Sequence, residues 1–114
     1  MFESLFSPLQ INGITVKNRL LVPAMVTNFA TEEGLCTPKL ASYHEAKAKG
    51  GWGLIITEDY AVAPEGRGFR GVPGLWTDEQ MESHKAIPEA VHKYDGAKIF
   101  ASYQLLMYLW EIRM

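Results

Sequence analysis

KAKGGWGLIITEDY, residues 47–60, holds a change of secondary structure within a single short stretch. Lys47 and Lys49 suit the negative end of a helix, and Gly50-Gly51 supply its stop. Leu54-Ile55-Ile56-Thr57 then follow as an unbroken apolar run. A strand with one wet face alternates between apolar and polar residues. An unbroken run bounded by glycines belongs instead to a strand covered on both faces, as in a parallel sheet clothed by helices.

The flanks repeat the pattern. Upstream, Thr37-Pro38 reads as an N-cap followed by a first-turn proline, and Leu40, Tyr43 and Ala46 recur at helical spacing as the expected buried face. Before it, Arg19 to Val22 forms a short strand that Pro23 halts, because proline offers no ladder donor. LQINGITV, residues 9–16, is a hairpin turning on Asn12-Gly13. Downstream, residues 59–76 form a long loop punctuated by Pro64, Gly66, Gly68, Gly71, Pro73 and Gly74. Thr77 caps a helix with Gln80 at the capping-box position, and Met81, Ile87, Val91 and Tyr94 mark its expected buried face. Pro88 predicts a kink or two abutting helices. A third strand runs from Ala97 to about Leu105.

The order hairpin, β, α, β, α, β predicts an α/β fold. Three adjacent parallel strands are expected in sequence order, with both helices on one face. Three such strands leave bare edges, and a (β/α) barrel needs eight units over about 250 residues. The pattern is therefore expected to be the opening of a longer barrel.

A chain of 114 residues accommodates one domain. Its 47% hydrophobic and 21% charged residues are ordinary for a globular protein. A net charge of −2 gives no footprint for nucleic acid or an anionic membrane, so neither is expected as a partner. The single Cys36 excludes an internal disulfide and fits a cytoplasmic location. The start MFESLFSPLQ lacks a basic, apolar signal segment, and the apolar stretch near the end is too short and too broken to span a bilayer.

Taken alone, few side chains point to chemistry. Glu58-Asp59 reads as a solvated strand end, or else as an acid/base pair. Gly66-Arg67-Gly68 is a surface turn or a weak phosphate grip. His44, His84 and His92 lack metal-ligand spacing and are expected on helix surfaces. Cys36 lies beside a helix start, which can lower a thiol pKa, though a small loop residue is the simpler reading. Val22 to Met25 reads as a strand end packed into core, and Tyr103, Tyr108 and Trp110 as core aromatics.

Three separated segments carry a further signal: SPLQINGITVKNRLLVPAMVTNFA (7–30), YHEAKAKGGWGLIITEDYAVAPEGRG (43–68) and LWTDEQMESHKAIPEAVHKYDGAKIFA (75–101). Together they resemble, in order, the first third of the Old Yellow Enzyme family. The branch is that of NADH:flavin oxidoreductases similar to 2,4-dienoyl-CoA reductase and bile-acid enoate reductases. The resemblance covers residues 4–101 and leaves 102–114 as a divergent tail. It implies the first three β/α units of a TIM barrel, preceded by a hairpin that plugs the bottom, in a partial FMN-binding domain.

It further implies FMN at the C-terminal mouth of the strands, with Pro23, Ala24, Met25 and Thr27 along the isoalloxazine ring. The position that tunes the flavin in some relatives falls at Val26 or Thr27. Asp59 stands where relatives often place a small residue against the ring. There its charge is expected to oppose reduced flavin by on the order of 4 kcal/mol at ~4 Å. Ser102 occupies the register of a flavin-binding Gln, and Gln104 comes two residues later.

For the full-length parent the resemblance implies hydride transfer from NAD(P)H through flavin to an activated alkene, with an enone or enoyl compound as substrate. Its substrate-binding His residues, catalytic Tyr and phosphate site would lie on later strands. The chain by itself is accordingly expected to bind FMN no tighter than millimolar. The alternative is a non-catalytic βαβαβ module.

Overall fold

The computed structural model describes residues 2–104. The expected end of the third strand at Leu105, and the aromatic residues Tyr108 and Trp110, lie outside the described residues. A single helical turn, α1 (Glu3–Phe6), precedes the hairpin of β1 (Leu9–Ile11) and β2 (Ile14–Val16). The hairpin is antiparallel, pairing Leu9 with Val16 and Ile11 with Ile14. Asn12 (φ 39°) and Gly13 (φ 87°) are both left-handed, as a two-residue turn of this twist requires.

The core element is a parallel sheet of β3 (Leu21–Val22), β4 (Leu54–Ala61) and β5 (Lys98–Gln104), adjacent in that order. β3 is shorter than expected, starting at Leu21 rather than Arg19. The Leu20 carbonyl accepts from both Gly53 and Leu54 N–H at 3.2 Å, so its backbone already closes the edge of the ladder.

Helix α2 (Pro38–Lys49) begins where Thr37 Oγ1 accepts from Leu40 N–H, and Gly50 ends it. Its buried face is Leu40, His44 and Ala48, not Leu40, Tyr43 and Ala46. The expected His44 surface position is thus wrong. An i, i+4, i+8 line follows the helix more closely than steps of three, and it brings His44 inward.

The second helical region is two helices, α3 (Asp78–His84) and α4 (Ala86–His92), meeting at Lys85. The break precedes Pro88 because the proline ring crowds the carbonyl four residues back, at His84. Gln80 is buried in α3 while Met81 is 54% exposed, which reverses the expected inner face there. The capping box of Thr77 and Gln80 is formed as expected.

Both helical layers lie on one face of the sheet. Val22, Ile55 and Ile99 pack there with Ala48 of α2 and Val91 of α4. Leu40, Tyr60 and Ile87 form a second cluster nearer the C-terminal end of β4. The opposite face carries Leu21, Ile56 and Phe100, and Leu21 and Phe100 remain 43% and 37% exposed.

The chain after the hairpin holds the N-terminal ends of the strands. Asn18 donates to the Gly51 carbonyl at 2.8 Å, and Lys17 Nζ to the Asp95 carbonyl at 2.8 Å. Gly53 lies so close to Asn18 that a Cβ there would sit 2.5 Å from its Oδ1. No helix among the described residues is long and apolar enough to cross a membrane.

Candidate functional site

The C-terminal ends of the three strands gather the loop 23–36, the latter half of β4 and the start of the loop 62–76. In a parallel sheet this edge is where loops converge and ligands bind. β4 reaches it through an irregularity. Ile56 pairs with Phe100, but the next pairing is Asp59 with Ser102, so Thr57 and Glu58 together oppose Ala101. The bulge changes which residues share a face. Ile55 and Tyr60 both meet the helices, an odd spacing that a regular strand forbids.

The bulge also breaks up the expected Glu58-Asp59 pair. Asp59 accepts a hydrogen bond from Ser102 Oγ at 2.5 Å, while Ser102 N–H donates to Thr57 Oγ1 at 3.0 Å. Glu58 is not a solvated strand end, being 1% exposed. Its carboxylate accepts from the Thr27 backbone N–H at 3.2 Å and from the Thr27 hydroxyl. Burial pushes the Glu58 carboxyl above its ordinary pKa, against the lowering effect of the Thr27 bonds.

Thr27 is thereby pinned, and its hydroxyl oxygen accepts in turn from Phe29 N–H at 3.3 Å. The preceding residues are open. Pro23 and Ala24 are exposed, Met25 is 60% exposed and Val26 45%. They do not form the packed strand end that the residues alone suggested. They are an apolar ledge beside the strand mouth.

Behind the ledge the loop is heavily braced. Asn28, at φ 58°, accepts from Gly71 N–H at 3.1 Å, and the Gly71 carbonyl accepts from Ala30 N–H at 2.9 Å. A Cβ on Gly71 would lie 2.6 Å from the Asn28 carbonyl oxygen, so only glycine allows this approach. Gln80 Nε2 donates to the Glu33 carbonyl at 2.8 Å, while its Oε1 accepts from Trp76 and Thr77 N–H.

Arg67 lends its guanidinium to the carbonyls of Thr31, Glu32 and Arg70. These bonds tie the loops 23–36 and 62–76 together. Sequence reasoning missed Thr57 and Gln80 as members of this edge. Gln80 left a trace in its capping-box position, and Ser102 was placed there only by the family resemblance.

The remaining titratable candidates lie behind the edge. Cys36 is half-buried with its Sγ 4.0 Å from the Tyr60 hydroxyl, and burial pushes its thiol up, opposite to a helix-start activation. The His84 ring meets Tyr60 edge-on at 4.7 Å, and burial lowers its pKa. His44 is lowered to about 4, first by burial and then by repulsion from His84. His92 alone of the three histidines is exposed.

A small recess lined by Val26, Asp59, Ala61, Gly66, Gly68, Val72 and Gln104 joins the ledge to the strand ends. At about 10 Å³ the recess itself holds no ring; the exposed apolar side chains of the ledge lie beside it, and Asp59 and Gln104 are its polar members. Asp59 is the discordant member, with its bond from Ser102 drawing off part of its charge.

A model of the NADH:flavin oxidoreductase / NADH oxidase family matches residues 4–107. An NADH oxidase of Thermoanaerobacter brockii is 41% identical over 100 residues, covering 87% of this chain and 15% of its own length. The Old Yellow Enzyme homologue of Zymomonas mobilis superposes with a TM-score of 0.81 at 36% identity, over 88% of this chain and 27% of that one. A 2-naphthoyl-CoA reductase, in complex with 2-naphthoyl-CoA, superposes at 0.86 with 28% identity, over 90% and 16%. The fold is thus that of the first three β/α units of the TIM barrel expected from sequence, preceded by its hairpin. The chain spans less than a third of each of these relatives.

Proposed function

Because the chain belongs to the NADH:flavin oxidoreductase / NADH oxidase family, we propose that it forms one wall of a flavin site in an NAD(P)H-dependent ene-reductase. When bound, FMN supplies the hydride chemistry that links NAD(P)H to an activated carbon–carbon double bond. The substrate class is an enone or an enoyl compound, and the reductase complexed with an acyl-CoA among the structural neighbours supports the second.

The observation that carries this reading is the exposed ledge at the strand mouth. Met25 and Val26 are held outward on a loop that is braced at Thr27, Asn28 and Ala30. Pro23, Ala24 and Met25 offer an exposed apolar face, and the Thr27 hydroxyl at its end is held by Glu58. Asp59 and Ser102 form a polar border on the next strands. Leaving apolar side chains in water is unfavourable at roughly 25 cal/mol per Å², so a ring laid on them gains by displacing that water.

The test is chemical-shift mapping of the 114-residue chain with added FMN. Amides of Ala24 to Thr27, Asp59 and Ser102 should move together, saturating only in the millimolar range. Shifts confined to other regions, or none at any FMN concentration, would overturn the assignment.

A further inference from the structure

Thr27 gives both of its donors to one acceptor. Its backbone N–H and its hydroxyl each point at the Glu58 carboxylate, while Phe29 N–H occupies a lone pair of the hydroxyl oxygen. In that arrangement Thr27 has no hydrogen left for anything else. An ionised carboxylate can only accept, so it holds the hydroxyl hydrogen for itself. A protonated carboxyl can instead donate to Thr27 Oγ1, and this frees the hydroxyl hydrogen for an acceptor outside the pair.

We infer that Glu58 is a positioning residue whose carboxyl group sets whether Thr27 offers a hydrogen or withholds it, so that the protonated form favours a ligand presenting a carbonyl oxygen or an unprotonated ring nitrogen above residues 23–27. The ligand's place rests on the proposed flavin site; the coupling between Glu58 and Thr27 does not.

The surroundings suit such a switch. Glu58 is 1% exposed, and among the described residues no lysine or arginine pairs with it. The groups that face it are acidic or neutral: Asp59 beside it on β4, Tyr60 beyond, and Cys36 from the loop before α2. Burial and the Asp59 charge favour the protonated form, while the two bonds from Thr27 favour the ionised one. Opposed influences of this kind leave the group responsive to what binds next to it.

The experiment is an NMR titration of the labelled chain, with FMN as the probe. The Glu58 carboxyl carbon and the Thr27 amide should titrate with one midpoint, above the ordinary glutamate value. Thr27→Val keeps the shape but removes the hydroxyl, and should raise the proton affinity of Glu58 by about tenfold; Thr27→Ser should restore it. Glu58→Gln, whose amide donates to Thr27 permanently, should make FMN affinity independent of pH and equal to that of the unaltered chain below the midpoint.

Separate midpoints for Glu58 and Thr27, an unmoved Glu58 midpoint in Thr27→Val, or an unchanged pH profile of FMN affinity in Glu58→Gln would each overturn the inference. FMN moving no amide in 24–27 at any pH would defeat the flavin reading instead. The coupling then stands or falls on the Thr27→Val and Thr27→Ser midpoints.

Discussion

Lowering the pH from 7.5 to 4 should destabilise the fold chiefly through one side chain, His44. The residue is 2% exposed on the inner face of α2, and neither ring nitrogen has a hydrogen-bond partner among the described residues. The Tyr43 ring stands edge-on at 5.2 Å. A cation is unwelcome there, so the pKa falls from 6.5 to about 4.

The unfolded chain therefore takes up the proton first. Stability from this group is fully present above pH 6.5, declines as pH falls, and is gone below about 4. At ~1.4 kcal/mol per tenfold, the loss is about 3 kcal/mol, a large share of the ~5–15 kcal/mol of a typical domain. His84, also lowered by burial, acts in the same direction. Glu58, raised by burial, acts oppositely: its contribution is greatest below its ordinary 4.5 and declines as pH rises through the higher folded value.

Urea denaturation followed by tryptophan fluorescence should thus show a midpoint falling by roughly 2 M between pH 7.5 and 4, for a slope of about 1.5 kcal/mol/M. His44→Leu should flatten most of that dependence. An equal pH dependence in the variant, or a His44 imidazole titrating at or above 6.5 by NMR, would refute the reasoning.

Other perturbations test the bracing of the loops. Gln80→Ala removes the acceptor of the Trp76 and Thr77 amides and the donor to the Glu33 carbonyl, and should cost about 3 kcal/mol in the same denaturation assay. Gly53→Ala places a Cβ 2.5 Å from Asn18 Oδ1 and 2.8 Å from its carbonyl oxygen, and should cost about 2 kcal/mol or more. Gly51→Ala, at φ 91° in open space, meets only backbone strain and should cost less, about 1 kcal/mol. A reversed order of the two glycine variants would contradict the close approach of Asn18 to Gly53.

Much of the architecture was legible residue by residue. Asn12-Gly13 specified a hairpin, Thr37-Pro38 and Thr77 with Gln80 specified helix starts, and the run from Leu54 specified a doubly covered strand. These are local signals, set by φ preferences, capping chemistry and periodicity within a few residues. The resemblance of separated motifs likewise placed the chain in its family, since the order of motifs is a property of the sequence.

The site's wiring was not legible, because it depends on contacts between residues far apart in the chain. Nothing within TEDY announces that Thr57 and Glu58 together oppose Ala101. That bulge is a property of two strands meeting, and it decides that Asp59 reaches Ser102 while Glu58 is buried against Thr27. His44 and Arg67 tell the same story. The sequence reading put the imidazole on the helix surface, and read the Gly66-Arg67-Gly68 turn as a surface turn or a weak phosphate grip. The packing of α2 against β4 and α4 turned the imidazole inward, and the carbonyls of Thr31 and Glu32 gave the guanidinium its partners. A side chain's chemistry is carried by its residue type, but its charge state and partners follow from what tertiary contacts leave around it.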